Sequence, residues 1–130
     1  MTPFFVALTR RIRGEPEQSV VDLPAIGREW ERLLGSRSTA AVVRLDPTTS
    51  TVHGEIHVQC PLRGTGDVQA CHRLMEYDRR LMAPHGVRFV VLRSQAEPGQ
   101  GHCVVAMRPM QLDASDLLPA HERSARLTQV

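Results

Sequence analysis

Apolar and polar positions along the chain alternate between a helical period and a strand period. Phe4, Phe5, Leu8 and Ile12 recur at helical spacing behind Thr2 and Pro3, a residue pair suited to a cap and a first helical position. Arg10, Arg11 and Arg13 close that stretch, where a helix dipole favours cations; a basic docking arm is the other reading of them. Gly14 to Ser19, with Pro16, reads as a loop. Asp22-Leu23-Pro24 then opens a second helix, with Ile26, Trp30, Leu33 and Leu34 at helical spacing and Gly35 as its stop.

The period changes to two after Thr39. Thr39 to Asp46 is rich in Ala and Val, Asp46-Pro47-Thr48-Thr49 is turn chemistry, and Val52 to Cys60 alternates, which predicts a hairpin. In its second strand Gly54, Ile56, Val58 and Cys60 face the core, while His53, Glu55, His57 and Gln59 face away. Pro61 ends the strand, Arg63-Gly64-Thr65-Gly66 turns the chain, and Asp67 caps a helix running to about Met82. Its buried stripe is Val68, Cys71, Leu74, Met75, Asp78 and Met82, and an acid in such a stripe is unexpected. Ala83-Pro84-His85-Gly86 stops this helix, and Val87 to Ser94 and His102 to Arg108 form a second hairpin around the loop Gln95 to Gly101. The order predicts an α+β domain over residues 1–110: a four-stranded, mainly antiparallel sheet built from two β-hairpins, with helices packed largely on one face. Residues 111–130 read as a polar tail despite Leu117-Leu118-Pro119.

A length of 130 residues, 42% of them hydrophobic, fits this single-domain reading. All sixteen basic residues are Arg, and Asn is absent. Without lysine there is no Schiff base, no pyridoxal attachment and no Walker-type phosphate loop; without Asn there is no N-glycosylation acceptor. A net charge of +2 names no partner, and five aromatic residues offer few surfaces for base stacking, so nucleic acid is not expected. The longest apolar run, Phe4 to Leu8, is far short of the roughly 18 residues of a membrane span. The expectation is therefore a soluble, cytoplasmic chain that acts on or binds a small molecule, with a homo-oligomer left open. Three cysteines, Cys60, Cys71 and Cys103, suit reduced thiols better than a secreted disulfide framework.

These cysteines carry the candidate chemistry. Each is placed at the end of an element, and Cys71, in the first turns of a helix, is the best placed nucleophile because a helix N-terminus lowers a nearby thiol pKa. The bland reading is that free cysteines behave as small buried hydrophobes. Cys60, Cys71 and Cys103 could instead hold zinc with His72 or His102, or an iron–sulfur cluster with one labile iron. His53, Glu55 and His57 share a strand face and form a second, weaker metal pattern, which a solvated polar face explains as well. Asp78 follows Cys71 by two helical turns, so it could act as a base beside the thiol or pair with Arg79, Arg88 or Arg93. Arg93 could grip a substrate carboxylate, with Ser94, Gln95 and the segment Gly99 to His102 adding donors nearby.

The block from Cys60-Pro61 through Cys71 and Asp78 to Arg93-Ser94-Gln95 and Gly101-His102-Cys103 resembles the C-terminal half of the L-2-amino-thiazoline-4-carboxylic acid hydrolase-like family. That family has a strand ending in Cys-Pro, a Cys followed about seven residues on by Asp, an Arg-Thr-Gln-like strand, and a Gly before a third Cys. Ser94 stands here in place of the Thr, His102 precedes the third Cys, and the N-terminal region is shorter. The resemblance implies hydrolytic opening of a 2-amino-thiazoline ring. In that scheme a thiolate or a metal-activated water attacks the amidine carbon within the cluster Cys60, Cys71 and Cys103. Asp78 relays protons, Arg93 holds the carboxylate, and Gln95 and His102 complete the substrate site. The alternatives are a non-catalytic module that binds a small molecule or metal, and an accessory subunit.

Overall fold

The computed structural model describes residues 22–34 and 39–123. The helix read over Thr2 to Ile12, the stop at Gly35 and the last residues of the polar tail lie outside them.

Asp22 starts helix α1 (Leu23–Leu34) by accepting a hydrogen bond from Ala25 N through its side chain at 3.0 Å, with Pro24 in the first turn where its missing N–H costs nothing. The helix buries Leu23, Ala25, Ile26, Glu29 and Trp30. Strands β1 (Ala40–Asp46) and β2 (Thr51–Ile56) follow as an antiparallel hairpin. After a loop come α2 (Val68–Leu74), α3 (Glu76–Met82), a single 3-10 turn at Ala83–His85, and a second hairpin of β3 (Val87–Arg93) and β4 (Cys103–Pro109). The sheet order is β1-β2-β4-β3, antiparallel throughout, so the two hairpins join through β2 and β4. This is the α+β architecture expected from the periodicity.

Helices pack on the face that carries Val52, Gly54 and Ile56 of β2, where α1 meets β1 and β2, and α3 meets β3. Trp30, with no exposed surface, lies at the centre, its ring 6.4 Å from that of Phe89. Both edge strands carry an irregularity, β1 between Val42 and Arg44 and β3 between Val91 and Arg93, which bends each free edge away from further pairing.

Four sequence expectations change here. The strand predicted to reach Cys60 stops at Ile56, because Ile56 is the last residue paired with both neighbours, opposite Ala40 and Cys103. Beyond it Val58, expected in the core, is 41% exposed. The helix predicted without interruption from Asp67 to Met82 breaks at Met75, whose φ and ψ of −77° and 2° leave the helical region. The break turns Leu74 outward to 54% exposure, out of the expected stripe, while Met75, Asp78 and Met82 stay buried.

The stretch that follows β4 returns to the sheet. Arg108, 3% exposed, donates from Nε to Thr51 Oγ1 at 2.8 Å and reaches both carboxylate oxygens of Asp116. Ala120 is buried, and Arg123 donates to the Leu92 carbonyl on the free edge of β3 at 2.9 Å. Among the described residues no helix is long and apolar enough to cross a membrane.

Candidate functional site

At one end of the sheet the chain leaves β2 through residues 57–66 and leaves β3 through the loop at 94–102, and a single side chain ties the two together. Gln95, 1% exposed, accepts from Cys60 N at 3.1 Å and Arg63 Nε at 3.0 Å, and donates to the carbonyls of Val58 at 2.7 Å and Ile56 at 3.4 Å. Two donors and two acceptors are what a carboxamide offers, so Gln95 has no capacity left for a substrate. Its expected binding role becomes a bracing one. Backbone bonds from Gly64 N to Gln95 O and from Gly66 N to Ala96 O extend the same seam.

This seam brings the three free thiols into one neighbourhood, with Cys71 and Cys103 buried and Cys60 half-buried. Burial pushes the Cys71 thiol up, opposed by the Ser94 hydroxyl and reinforced by Cys60. Burial likewise raises Cys103, against the Gln95 backbone. The expectation that a helix N-terminus lowers the Cys71 pKa is therefore reversed: loss of water outweighs the Ser94 hydroxyl and Arg79, the groups that favour the thiolate. Among the described residues, no three ligand atoms of Cys60, Cys71, Cys103 and His72 lie within 4.8 Å of one another, so the expected zinc or iron–sulfur arrangement is not preformed.

Cys71 faces a cavity of about 200 Å³ that follows the free edge of β3. Val68, Phe89, Val91 and Ala120 give it apolar walls; His72, His121, Arg79 and Arg88 supply the polar groups. His72 and His121 stack with centroids 3.6 Å apart. Burial, then Arg79 and His121, lower the His72 pKa, leaving a neutral imidazole beside Cys71 at neutral pH. Arg79 is positioned by the helix break: its Nη2 donates to the His72 carbonyl at 2.6 Å and its Nε to Glu76 at 2.9 Å.

Of the residues singled out in the sequence, Cys71, His72 and two of the candidate partners of Asp78, Arg79 and Arg88, line this cavity; Cys60, Cys103, Asp78, Arg93, Gln95 and His102 do not. Asp78 is 7% exposed, as expected, but it lies by Trp30 in the core rather than on the cavity wall. Burial raises its pKa to about 6, against its own backbone N–H, Arg79 and the Trp30 indole N–H. Neither Asp78 Oδ2 nor Trp30 Nε1 has a hydrogen bond of normal length. Arg79, rather than Arg93, is the cation acting on Asp78, and Arg93 is exposed at the end of β3. The base and the carboxylate grip read from the sequence are thus separated from the Cys71 thiol.

A second cluster sits on the sheet face opposite the helices. Glu55 Oε1 accepts from His57 Nε2 at 2.8 Å, Glu55 Oε2 lies 3.5 Å from His102 Nε2, and the two imidazoles stack with centroids 4.6 Å apart. His53, read with Glu55 and His57 as one face, is instead 2.9 Å from Arg44 Nη2.

No family model, curated protein or solved structure matches this chain.

Sequence reasoning missed Arg79, Arg88 and His121 as cavity residues. Arg79 carried a signal, since it follows the unexpected acid; His121 had none, because it reaches the cavity only when the segment after β4 folds back over β3. His102 was singled out for a substrate, and the pairing that places it beside His57 appears only in the register of β2 against β4.

Proposed function

We propose that this protein binds a compact, partly apolar small molecule carrying an anionic group, in the cavity beside Cys71. The observation that carries the reading is the lining: an apolar slot of about 200 Å³ with Arg88 and two imidazoles at its wall, and with Arg79 alongside, its guanidinium held by Glu76 and the His72 carbonyl. Slots of this kind orient a ligand by a few polar groups while the apolar wall supplies affinity, and arginine is the side chain best matched to a carboxylate. The volume lies below the usual range of about 300–1,000 Å³ for drug-sized ligands, which points to a small acid.

One observation favours hydrolytic ring opening as a second reading. Cys71 and His72 both line the slot, so a thiol and a neutral imidazole are available to one ligand. Against it, burial keeps Cys71 in the thiol form, and Asp78 is outside the slot.

Titration calorimetry with benzoate and with 2-amino-thiazoline-4-carboxylate tests both readings. Binding of either acid, weakened in Arg88→Met, supports the ligand site; no heat with either acid and no change in the His72 or His121 resonances rejects it. Mass spectrometry of the incubated thiazoline decides the chemistry: gain of one water by wild-type but not Cys71→Ser would make the protein a hydrolase.

A further inference from the structure

We propose that Glu55, His57 and His102 form a binding site for one divalent transition-metal ion, zinc foremost, with water completing the coordination. The site is independent of the small-molecule reading, since none of its residues lines the Cys71 cavity.

Its construction follows from the ladder. In an antiparallel pair the residue numbers of partners have a constant sum, and Ile56 opposite Cys103 and His53 opposite Ala106 set that sum for β2 and β4. One step beyond the last pair, His57 stands across from His102, which is why their rings stack at 4.6 Å and an interplanar angle of 17°. Glu55 precedes His57 by two residues and so projects from the same face. Glu55 therefore comes from β2 itself, while His57 and His102 are the first residues beyond the paired ends of two central strands, held there by the adjoining ladder.

The spacing suits a small ion. Zn–N and Zn–O bonds of about 2.1 Å in a tetrahedron set adjacent ligand atoms about 3.4 Å apart. The carboxylate oxygens stand 2.8 Å from His57 Nε2 and 3.5 Å from His102 Nε2, and all three ligand atoms fall within 4.8 Å of one another. A carboxylate only accepts, so without metal the His57 Nε2 carries the proton that bonds to Glu55. A metal ion at Nε2 takes the lone pair freed when the neutral ring carries its single proton on Nδ1 instead, the tautomer that metal-bound imidazole adopts. Two imidazoles with one carboxylate select zinc and its neighbours over magnesium or calcium, which want an all-oxygen shell. With partial exposure at all three residues, from 30% at Glu55 to 49% at His57, an incoming ion meets no barrier and an open coordination position remains for water.

Cobalt titration of the full chain tests the site, because cobalt occupies zinc sites and its spectrum distinguishes nitrogen and oxygen ligands from thiolate. The expected result is uptake of one equivalent at micromolar concentration, visible ligand-field absorbance without the near-ultraviolet thiolate band, and displacement by zinc. His57→Ala and His102→Ala should each weaken binding by more than about tenfold. Glu55→Gln, the more conservative change, should weaken it as well, with unaltered circular dichroism confirming the fold. Failure to take up cobalt or zinc, uptake with a thiolate band, or unchanged affinity in both histidine variants would overturn the proposal.

Discussion

Gly54 on β2 lies flat beneath the indole of Trp30, and a Cβ at position 54 would fall 2.5 Å from Trp30 Cζ3 and 2.6 Å from Cη2. Trp30 has no exposed surface into which its ring could move. The close approach of α1 to the sheet therefore depends on a missing side chain, as it does at Gly27, where a Cβ would meet Val42 Cγ2 at 2.7 Å. Gly54→Ala should cost about 1–3 kcal/mol by overpacking, read as a lower urea midpoint with unchanged slope. Combining it with Trp30→Phe should recover part of that loss, giving a non-zero coupling in a double-mutant cycle; additive losses would exclude the contact as the cause.

Asp78 should make stability fall as pH rises. Its folded pKa of about 6 stands above the ordinary 3.8, so between those values the folded chain holds a proton that the unfolded chain has released. The contribution is fully present below about pH 4 and lost by about pH 6, a change on the order of 3 kcal/mol. Asp78→Asn should flatten that slope and raise the melting temperature at neutral pH, without altering ligand binding at the Cys71 cavity. Trp30 is the sole tryptophan, so its fluorescence should titrate with a midpoint near 6 in the wild type and not in Asp78→Asn.

Gln95→Leu should destabilise the protein by about 2–4 kcal/mol, because it leaves the half-buried Cys60 N–H and the Ile56 and Val58 carbonyls without their partner. Gln95→Glu is the sharper test. Once ionised, its carboxylate still accepts from Arg63 but faces two carbonyls, so its melting temperature should drop with rising pH by more than the Asp78 step that the wild type shows. Thermal melts of both variants across pH check this.

The thiols should react in the order of their exposure. Cys60 is half-buried and should be alkylated first in the native protein, whereas Cys71 and Cys103, at 3% and 5% exposure and with raised pKa, should need local opening. Iodoacetamide labelling followed by peptide mass spectrometry gives the order directly; fast labelling of Cys71 in the native state would restore it as a nucleophile.

The architecture was legible in the sequence because periods of two and 3.6, and the turns between them, are local properties. Asp22 and Asp67 at helix starts, Asp46-Pro47 at a turn and Gly86 after a helix each act on neighbours within a few residues. The burial of Asp78 was legible for the same reason, since helical spacing places it on an apolar stripe. Local pattern carries no record of where a partner strand ends, so the strand expected to reach Cys60 stopped at Ile56. Nor does it record the break at Met75, which turned Leu74 to solvent, or the fact that Asp78 meets Trp30 while Cys71 meets the edge of β3. Gln95 and His102 were read as substrate-binding residues, yet their partners lie far away in sequence: Gln95 closes a seam to residues 56–63, and His102 joins Glu55 and His57 through strand register. Neighbours in sequence decide which element forms; loop closure, register and burial decide which side chains meet, and the candidate sites depend on those meetings.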